Sequence, residues 1–545
     1  MTDAPHTAGQ NTADSNNAAG QDEVIDFLSD PAIFGDGSEG GPGGEQGPEE
    51  RPVERIETHV SLVFLGAERV LKLKRAVVFP YLDFSTPDRR RLACEAEVRI
   101  NRRTAPTIYN GVVAVTREKN GGLALGGEGE AVDWLVDMAR FDEDTLFDRL
   151  AQKGGLDRTL MEDLADSIAA FHHNAEVSRD EGMGGRAGIG MILKSNDECF
   201  EGARGVLERA ETETLTRQSL KALDEIGPLL DRRRDLGRVR HCHGDLHLRN
   251  ICMVEGGPTL FDAIEFNPAF STIDVLYDLA FLLMDLDHRG LPGLANIVFN
   301  RYLDITGDGA EDAGGLRVMA LFLSMRAAIR CHVDAAQVEA LSDPEQAERR
   351  AGEAGEYLKM ALCALTPGTP RLIGVGGLSG SGKSRMAREL APHLDGMPGA
   401  RVVRSDATLK RLAGARLQDR LGSDGYTPEM TERTLEALFD EAQDGLRAGP
   451  VVISDAVFAN PRHRRALSDI AEREDVEFKG LWLAAPPDVM AERVAKRKRN
   501  ISDADAAVLE MQLGCDLGEM TWTRIDSSGR REETLKAGWD VIGAK

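Results

Sequence analysis

The sequence predicts two α/β domains in one chain, the second built on a parallel sheet that carries a phosphate-binding loop. Three observations carry this expectation. The chain has 545 residues, more than one average domain holds. Gly377-Leu378-Ser379-Gly380-Ser381-Gly382-Lys383-Ser384 follows an apolar strand, Leu372 to Val375, and opens a helix. A second loop rich in phosphate-handling residues, His243 to Asn250, lies upstream, and Ala364 to Pro370 (ALTPGTP) punctuates the chain between them. The expected division is 1–54 as an acidic tail, short helix and insert loop, 55–363 as the first domain, 364–370 as a linker and 371–545 as the second domain.

Apolar residues make up 42% and charged residues 29%, an ordinary globular balance. The net charge of −25 argues against a broad grip on nucleic acid or an anionic membrane. Residues 1–50 hold 11 acidic residues and no Lys or Arg, so much of that excess sits outside the expected folded body. No apolar run is long enough to span a membrane, and the first residues lack the basic and apolar regions of a secretion signal. Seven scattered cysteines without a CxxC pair argue against a disulfide framework or zinc site, so a reducing cytoplasm is the expected location.

In chain order, residues 1–20 are polar and expected to be disordered. Asp22 to Phe34 places Val24, Ile25, Phe27 and Leu28 near one helical face, and Gly35 to Pro52 reads as a loop. Val60, Leu62 and Phe64 alternate as a strand, Gly66–Ala67 turns, and Val70 to Lys74 returns as a second strand. A helix is expected over Arg89–Arg103, with strands at Gly111–Thr116, Leu123–Gly126 and Ala131–Met138. Helical signals dominate from Asp144 to Arg240 and from Asp274 to Leu365.

The second domain's motif fits G-x-x-x-x-G-K-[ST], a P-loop: its backbone N–H groups curl around phosphate, Lys383 reaches the β/γ oxygens and Ser384 ligates Mg²⁺. Val451-Val452-Ile453-Ser454-Asp455 is an apolar strand ending in an acid, which places Asp455 as a metal-holding carboxylate or as a cap of the next helix. Asp406, in Arg404-Ser405-Asp406, reads either as the base for an acceptor hydroxyl or as a helix cap. Glu492 to Arg499 is the densest basic run, and Arg493 and Arg497 share a helical face that would neutralise transferred charge or simply face solvent.

In the first domain, His243-Gly244-Asp245-Leu246-His247-Leu248-Arg249-Asn250 sets Asp245 and Asn250 five apart. That spacing matches the kinase layout in which the Asp meets the acceptor hydroxyl and the Asn binds Mg²⁺. Asp262 ends an apolar approach (Thr259-Leu260-Phe261), where a second metal-holding carboxylate belongs. A metal site of His241, His243 and His247 is the alternative. A strand lysine for the α/β-phosphates is expected at Lys72 or Lys74, which share a strand face, with Glu95 as its helical partner and Glu97 as the fallback.

These residues resemble the aminoglycoside phosphotransferase and choline kinase group over residues 55–365, which implies a two-lobed, protein-kinase-like fold and Lys72 as the ATP lysine. The phosphate loop is not of the G-x-G-x-x-G type, and Asp262 precedes Ala263-Ile264 rather than Phe-Gly, which sets the chain apart from typical protein kinases. The C-terminal 175 or so residues resemble compact P-loop kinases of small metabolites, such as gluconate kinase and adenylate kinase, and zeta-toxin relatives. The order of modules is similar to the bacterial bifunctional aminoglycoside phosphotransferase/ATP-binding proteins. The resemblance implies ATP and Mg²⁺ as cofactors and a small-molecule hydroxyl as acceptor, without nucleic acid, membrane or an inferable protein partner. Two other functions fit the sequence: a nucleotide-sensing regulatory protein with one inactive kinase domain, and a polynucleotide or RNA-end kinase.

Overall fold

The computed structural model describes residues 15–34, 53–58, 60–79, 82–308, 314–338, 341–366, 368–394, 396–422, 426–449, 451–496 and 501–543. The expected loop over 35–52 lies outside them. The architecture is mixed α/β, with one antiparallel and one parallel sheet, each flanked by helices. Among the described residues, no helix is long and apolar enough to cross a membrane.

By packing, the chain divides into two compact units, Met1–Gly155 with His241–Thr272, and Leu156–Arg240 with Ile273–Lys545. The first is organised by a six-stranded antiparallel sheet in the order 54–57, 61–65, 69–74, 130–139, 109–117, 123–125. Alternating apolar residues put Phe64, Leu71, Leu73, Val115 and Leu135 on one buried face. The N-terminal helix covers that face with Val24 and Leu28, and the 3-10 turn Pro31–Phe34 adds Phe34. This helix runs from Ser15 to Leu28, so residues 15–20 are helical where disorder was expected. Gln21, just before the apolar stripe, is 7% exposed and fully engaged. Its Nε2 donates to the Lys74 carbonyl (2.8 Å) and to Asp133 (3.1 Å), and its Oε1 accepts from the Ala76 N–H (2.8 Å). The other sheet face packs on helix Pro87–Asn101 through Cys94 and Val98. Thr86 caps that helix and Pro87 starts it, both standard N-terminal choices.

The second unit contains a helical bundle and the P-loop domain. Helix Val275–His288 is buried at 12 of 14 positions, so it reads as apolar on all sides because neighbours surround it. The parallel sheet has five strands in the order 401–404, 452–455, 371–376, 477–484, 523–526. Apolar clusters on both faces bury its strands, which explains their continuous rather than alternating hydrophobicity.

The bundle helix ends at Ala364 and the first parallel strand starts at Arg371, yet packing crosses this joint. Asn296 donates to the carbonyls of Pro398 (2.9 Å) and Ala400 (3.1 Å). Asn300 Oδ1 accepts from the Val402 N–H (2.8 Å) and from Arg401 (3.1 Å), and Arg401 pairs with Asp304 at 2.8 Å. Arg401 and Asp304 are 3% and 4% exposed; Asp304 finds its cation across the joint, while Arg401 also lies 3.6 Å from Glu441 on its own side.

Candidate active sites

In the first unit the lysine strand, Arg69–Lys74, lies between strands 61–65 and 130–139. Lys72 Nζ bonds Glu97 at 2.9 Å and Asp262 at 2.6 Å. Lys74 pairs with the same Glu97 and with Glu265. Five groups therefore alternate in sign, Asp262, Lys72, Glu97, Lys74 and Glu265. Burial alone would raise the Glu97 carboxyl, but Lys72 and Lys74 outweigh it and hold it at about 2. Burial would lower Lys72, and Asp262 and Glu97 outweigh that to raise it well above its ordinary value. Burial raises Glu265 against the pull of Lys74.

The helical partner of the lysines is thus Glu97, not Glu95. Glu95 is exposed and lies 3.6 Å from Arg91 one turn away. The two differ by two positions, which on a helix turns a side chain by roughly 200°; only Glu97 is on the buried face with Cys94, Val98 and Asn101. The shared carboxylate also distinguishes the lysines: Lys74 is 1% exposed, whereas Lys72 is the one held against Asp262.

The loop 243–250 is shaped by Gly244, whose φ is +85° and whose Cβ would lie 2.9 Å from the Phe270 carbonyl. Asn250 Nδ2 donates to the Asp245 carbonyl and to its Oδ2, both at 2.9 Å. His247 Nε2 is 3.3 Å from Asp245 Oδ2. His243 is buried with Nε2 2.9 Å from the Phe261 carbonyl, so its ring serves the backbone beside Asp262 and not a three-histidine metal site. Asp262 has φ +59°, a strained conformation for a non-glycine residue. It is held there by its N–H to Tyr109 Oη (3.1 Å) and by the next N–H, of Ala263, to Asn101 Oδ1 (2.8 Å). Asn101, Tyr109 and Glu265 were not legible as site residues because they act from a helix end, a strand start and a loop that carry no motif. Asp245, Asn250 and Asp262 present carboxylate and amide oxygens, a hard-donor set suited to Mg²⁺.

In the P-loop domain, strand Arg371–Gly376 leads into the loop and helix Lys383–Leu390 follows it. Gly380 has φ +84°, and a Cβ there would meet the Met490 carbonyl at 2.4 Å. Lys383, Ser379 and Ser381 are buried. Asp455 ends the neighbouring parallel strand, in register with Val375. It is 3% exposed, its Oδ1 has no hydrogen-bond partner among the described residues and Arg404 lies 3.5 Å from Oδ2. A buried carboxylate oxygen without a donor, in register with the strand that enters the phosphate loop, fits a cation. Asp406 lies in the first turn of helix Ser405–Leu412, whose N-cap is Arg404, so Asp406 is not the cap.

Arg493 donates to the Ser527 carbonyl at 2.7 Å and approaches the Gly380 carbonyl at 3.5 Å. With Ser381, Gly382, Gly529 and Arg531 it lines a cavity of about 170 Å³ against the loop. This sets Arg493 beside the phosphate loop and the segment after the last strand. Arg497 lies outside the described residues. Gln512, on helix Ala506–Leu513, went unread: its Oε1 accepts the Ser379 N–H at 2.8 Å, taking up one amide of the loop.

The AAA domain family model matches residues 372–514. The uncharacterized protein Rv2004c of Mycobacterium tuberculosis is 27% identical over 496 residues, covering 89% of this chain and 94% of that protein. Among solved structures, a choline/ethanolamine kinase family protein from Mesorhizobium loti is 11% identical, covers 58% of this chain and 92% of its own, and has a TM-score of 0.33. A sugar kinase from Janibacter sp. is 20% identical over 33% of this chain and 96% of its own, with a TM-score of 0.26. The Deinococcus radiodurans tunicamycin resistance protein is 23% identical over 32% of this chain and 97% of its own, with a TM-score of 0.24.

Proposed function

We propose that the chain is an ATP-dependent phosphotransferase whose first site phosphorylates a small-molecule hydroxyl, with a second ATP-dependent transfer in the P-loop domain. The observation that carries the reading is Lys72, fixed at once by Glu97 and by Asp262. That arrangement aims one cation at phosphate oxygens and ties it to the carboxylate next to which Mg²⁺ would sit.

At the first site, Lys72 would orient the α/β-phosphates of ATP, and Asn250 and Asp262 would hold Mg²⁺. Asp245 accepts the proton of the acceptor hydroxyl as its oxygen bonds to the γ-phosphorus and the bond to the β-phosphate oxygen breaks. Asn250 keeps the Asp245 carboxylate in place through Oδ2. Bound Mg²⁺ would supply charge neutralisation on the phosphate oxygens. At the second site the loop amides and Lys383 would cradle the phosphates, Ser384 and Asp455 would hold Mg²⁺, and Asp406 would face the acceptor. Arg493, bonded beside the loop, lines the wall next to the nucleotide. Mg·ATP in a cytoplasm is the natural supply for both.

The test is transfer of labelled γ-phosphate from ATP into a fractionated metabolite extract by the full chain. Asp245→Asn should slow the transfer made at the first site by roughly 10²–10⁴. Unchanged labelling of every product by Asp245→Asn would overturn the assignment.

A further inference from the structure

Outside both phosphate-handling sets, a cavity of about 580 Å³ lies within the second unit, between helices Arg158–Asn174 and Pro292–Thr306 on one side and Arg411 with Gly414–Gln418 on the other. Its volume is in the range of small-molecule sites. Five arginines line it, Arg238, Arg240, Arg301, Arg411 and Arg416, against two carboxylates, Asp166 and Asp304. Such a concentration of cations is unexpected in a chain of net charge −25.

Four of the five guanidiniums meet acids. Arg301 forms a two-pronged pair with Asp166 (2.7 and 2.8 Å), Arg238 meets Asp308 at 3.1 Å, Arg416 meets Asp419 at 2.9 Å and Arg411 meets Glu441. Burial, and then Arg401 beside it, hold Arg411 below its ordinary pKa. Arg240 has no carboxylate partner among the described residues. Its Nε donates to the Gly237 carbonyl (3.0 Å), and its Nη1 to the carbonyls of His172 (3.0 Å), His173 (2.6 Å) and Ala175 (3.2 Å). Those carbonyls end helix Arg158–Asn174, where a cation complements the helix dipole, so the guanidinium is rigidly placed. Nη2 makes none of these bonds.

We propose that this cavity binds a phosphomonoester, with Arg240 as its principal phosphate donor and an apolar wall of Ala170, Val275 and Ile305 for the organic part. A tetrahedral dianion can take donors from guanidiniums on several walls, whereas a carboxylate is served by one planar fork. The inference does not depend on either proposed active site, since none of their residues lines the cavity.

The test uses the full chain with both nucleotide sites filled by Mg²⁺ and a non-hydrolysable ATP analogue. Glycerol 3-phosphate, ribose 5-phosphate and inorganic phosphate are titrated by calorimetry, with glycerol and ribose as uncharged controls. At least one phosphorylated probe should bind saturably and neither control should. Ile305→Glu places a negative charge in the cavity at a residue 38% exposed, so the fold is kept. It and Arg240→Gln should each weaken probe binding at least tenfold while leaving affinity for the ATP analogue unchanged. The proposal is overturned if no phosphorylated probe binds, if the controls bind equally well, or if either substitution leaves probe affinity as it was.

Discussion

Replacing Glu97 with Gln removes the one carboxylate that Lys72 and the buried Lys74 share. The side chain is fully buried, with Lys72 Nζ at 2.9 Å and Lys74 on the other oxygen. Breaking a buried pair by removing one partner costs about 3–5 kcal/mol. Here Lys72 keeps Asp262 and Lys74 keeps Glu265, so the lower end, about 3 kcal/mol, applies. For a unit of this size that corresponds to a melting shift of about 6–12 °C. Differential scanning fluorimetry of the full chain should show the shift in the transition that responds to first-site ligands. Mg·ATP affinity at that site should fall as well, because Lys72 loses its lateral anchor. Glu95→Gln, two residues away and facing solvent, should leave both readings where they were. Equal effects of the two substitutions, or a larger effect of Glu95→Gln, would refute the pairing.

Other outcomes follow from the same geometry. Asp262→Asn should weaken the Mg²⁺ dependence of ATP binding at the first site as well as turnover, whereas Asp245→Asn should leave Mg·ATP binding nearly intact; calorimetry with each variant distinguishes the two roles. Lys383→Ala should cost a few kcal/mol, about 3, of phosphate stabilisation in the P-loop domain, read as lost turnover there, and unchanged turnover would contradict the loop's role. Glu97 titrates at about 2 in the folded chain against an ordinary 4.5, so its stabilising contribution is present above about 4.5 and is lost as pH falls toward 2. The stability difference between wild type and Glu97→Gln should therefore shrink on acidification through that window, and a constant difference would rule out a charge-based origin. A fragment beginning at residue 371 strips Arg401 of Asp304 and Asn300, so it should be less stable than the same domain in the full chain, and restoring those contacts should recover stability.

The two loops read as phosphate-handling were legible because the chemistry they are read for demands fixed spacing. Asp245 and Asn250 sit on one short loop, and Gly380, Gly382 and Lys383 are neighbours in sequence, so local pattern and local geometry coincide. The antiparallel sheet was visible for a similar reason, as Leu62, Phe64, Leu71 and Leu73 alternate onto one buried face. What failed to show were contacts that pass through the fold. Glu97 and Glu95 are equivalent as helix residues until the buried face of Pro87–Asn101 is known. Tyr109 and Asn101 hold the backbone at Asp262 across sequence separations of 153 and 162 residues. The joint at 364–370 was visible as composition, but Asn296, Asn300 and Asp304, which bind across it, look like ordinary helix residues. Gln512 reaches Ser379 from 133 residues downstream, with no motif around it.

Two independent phosphoryl-transfer sites in one chain, as proposed, are tested most directly by labelled γ-phosphate transfer into a metabolite extract by four full-length proteins: wild type, Asp245→Asn, Lys383→Ala and the double variant. With two such sites, each single substitution should remove a different subset of labelled products and the double variant should remove them all. Persistent labelling by the double variant, or loss of every product from one substitution alone, would contradict the proposal.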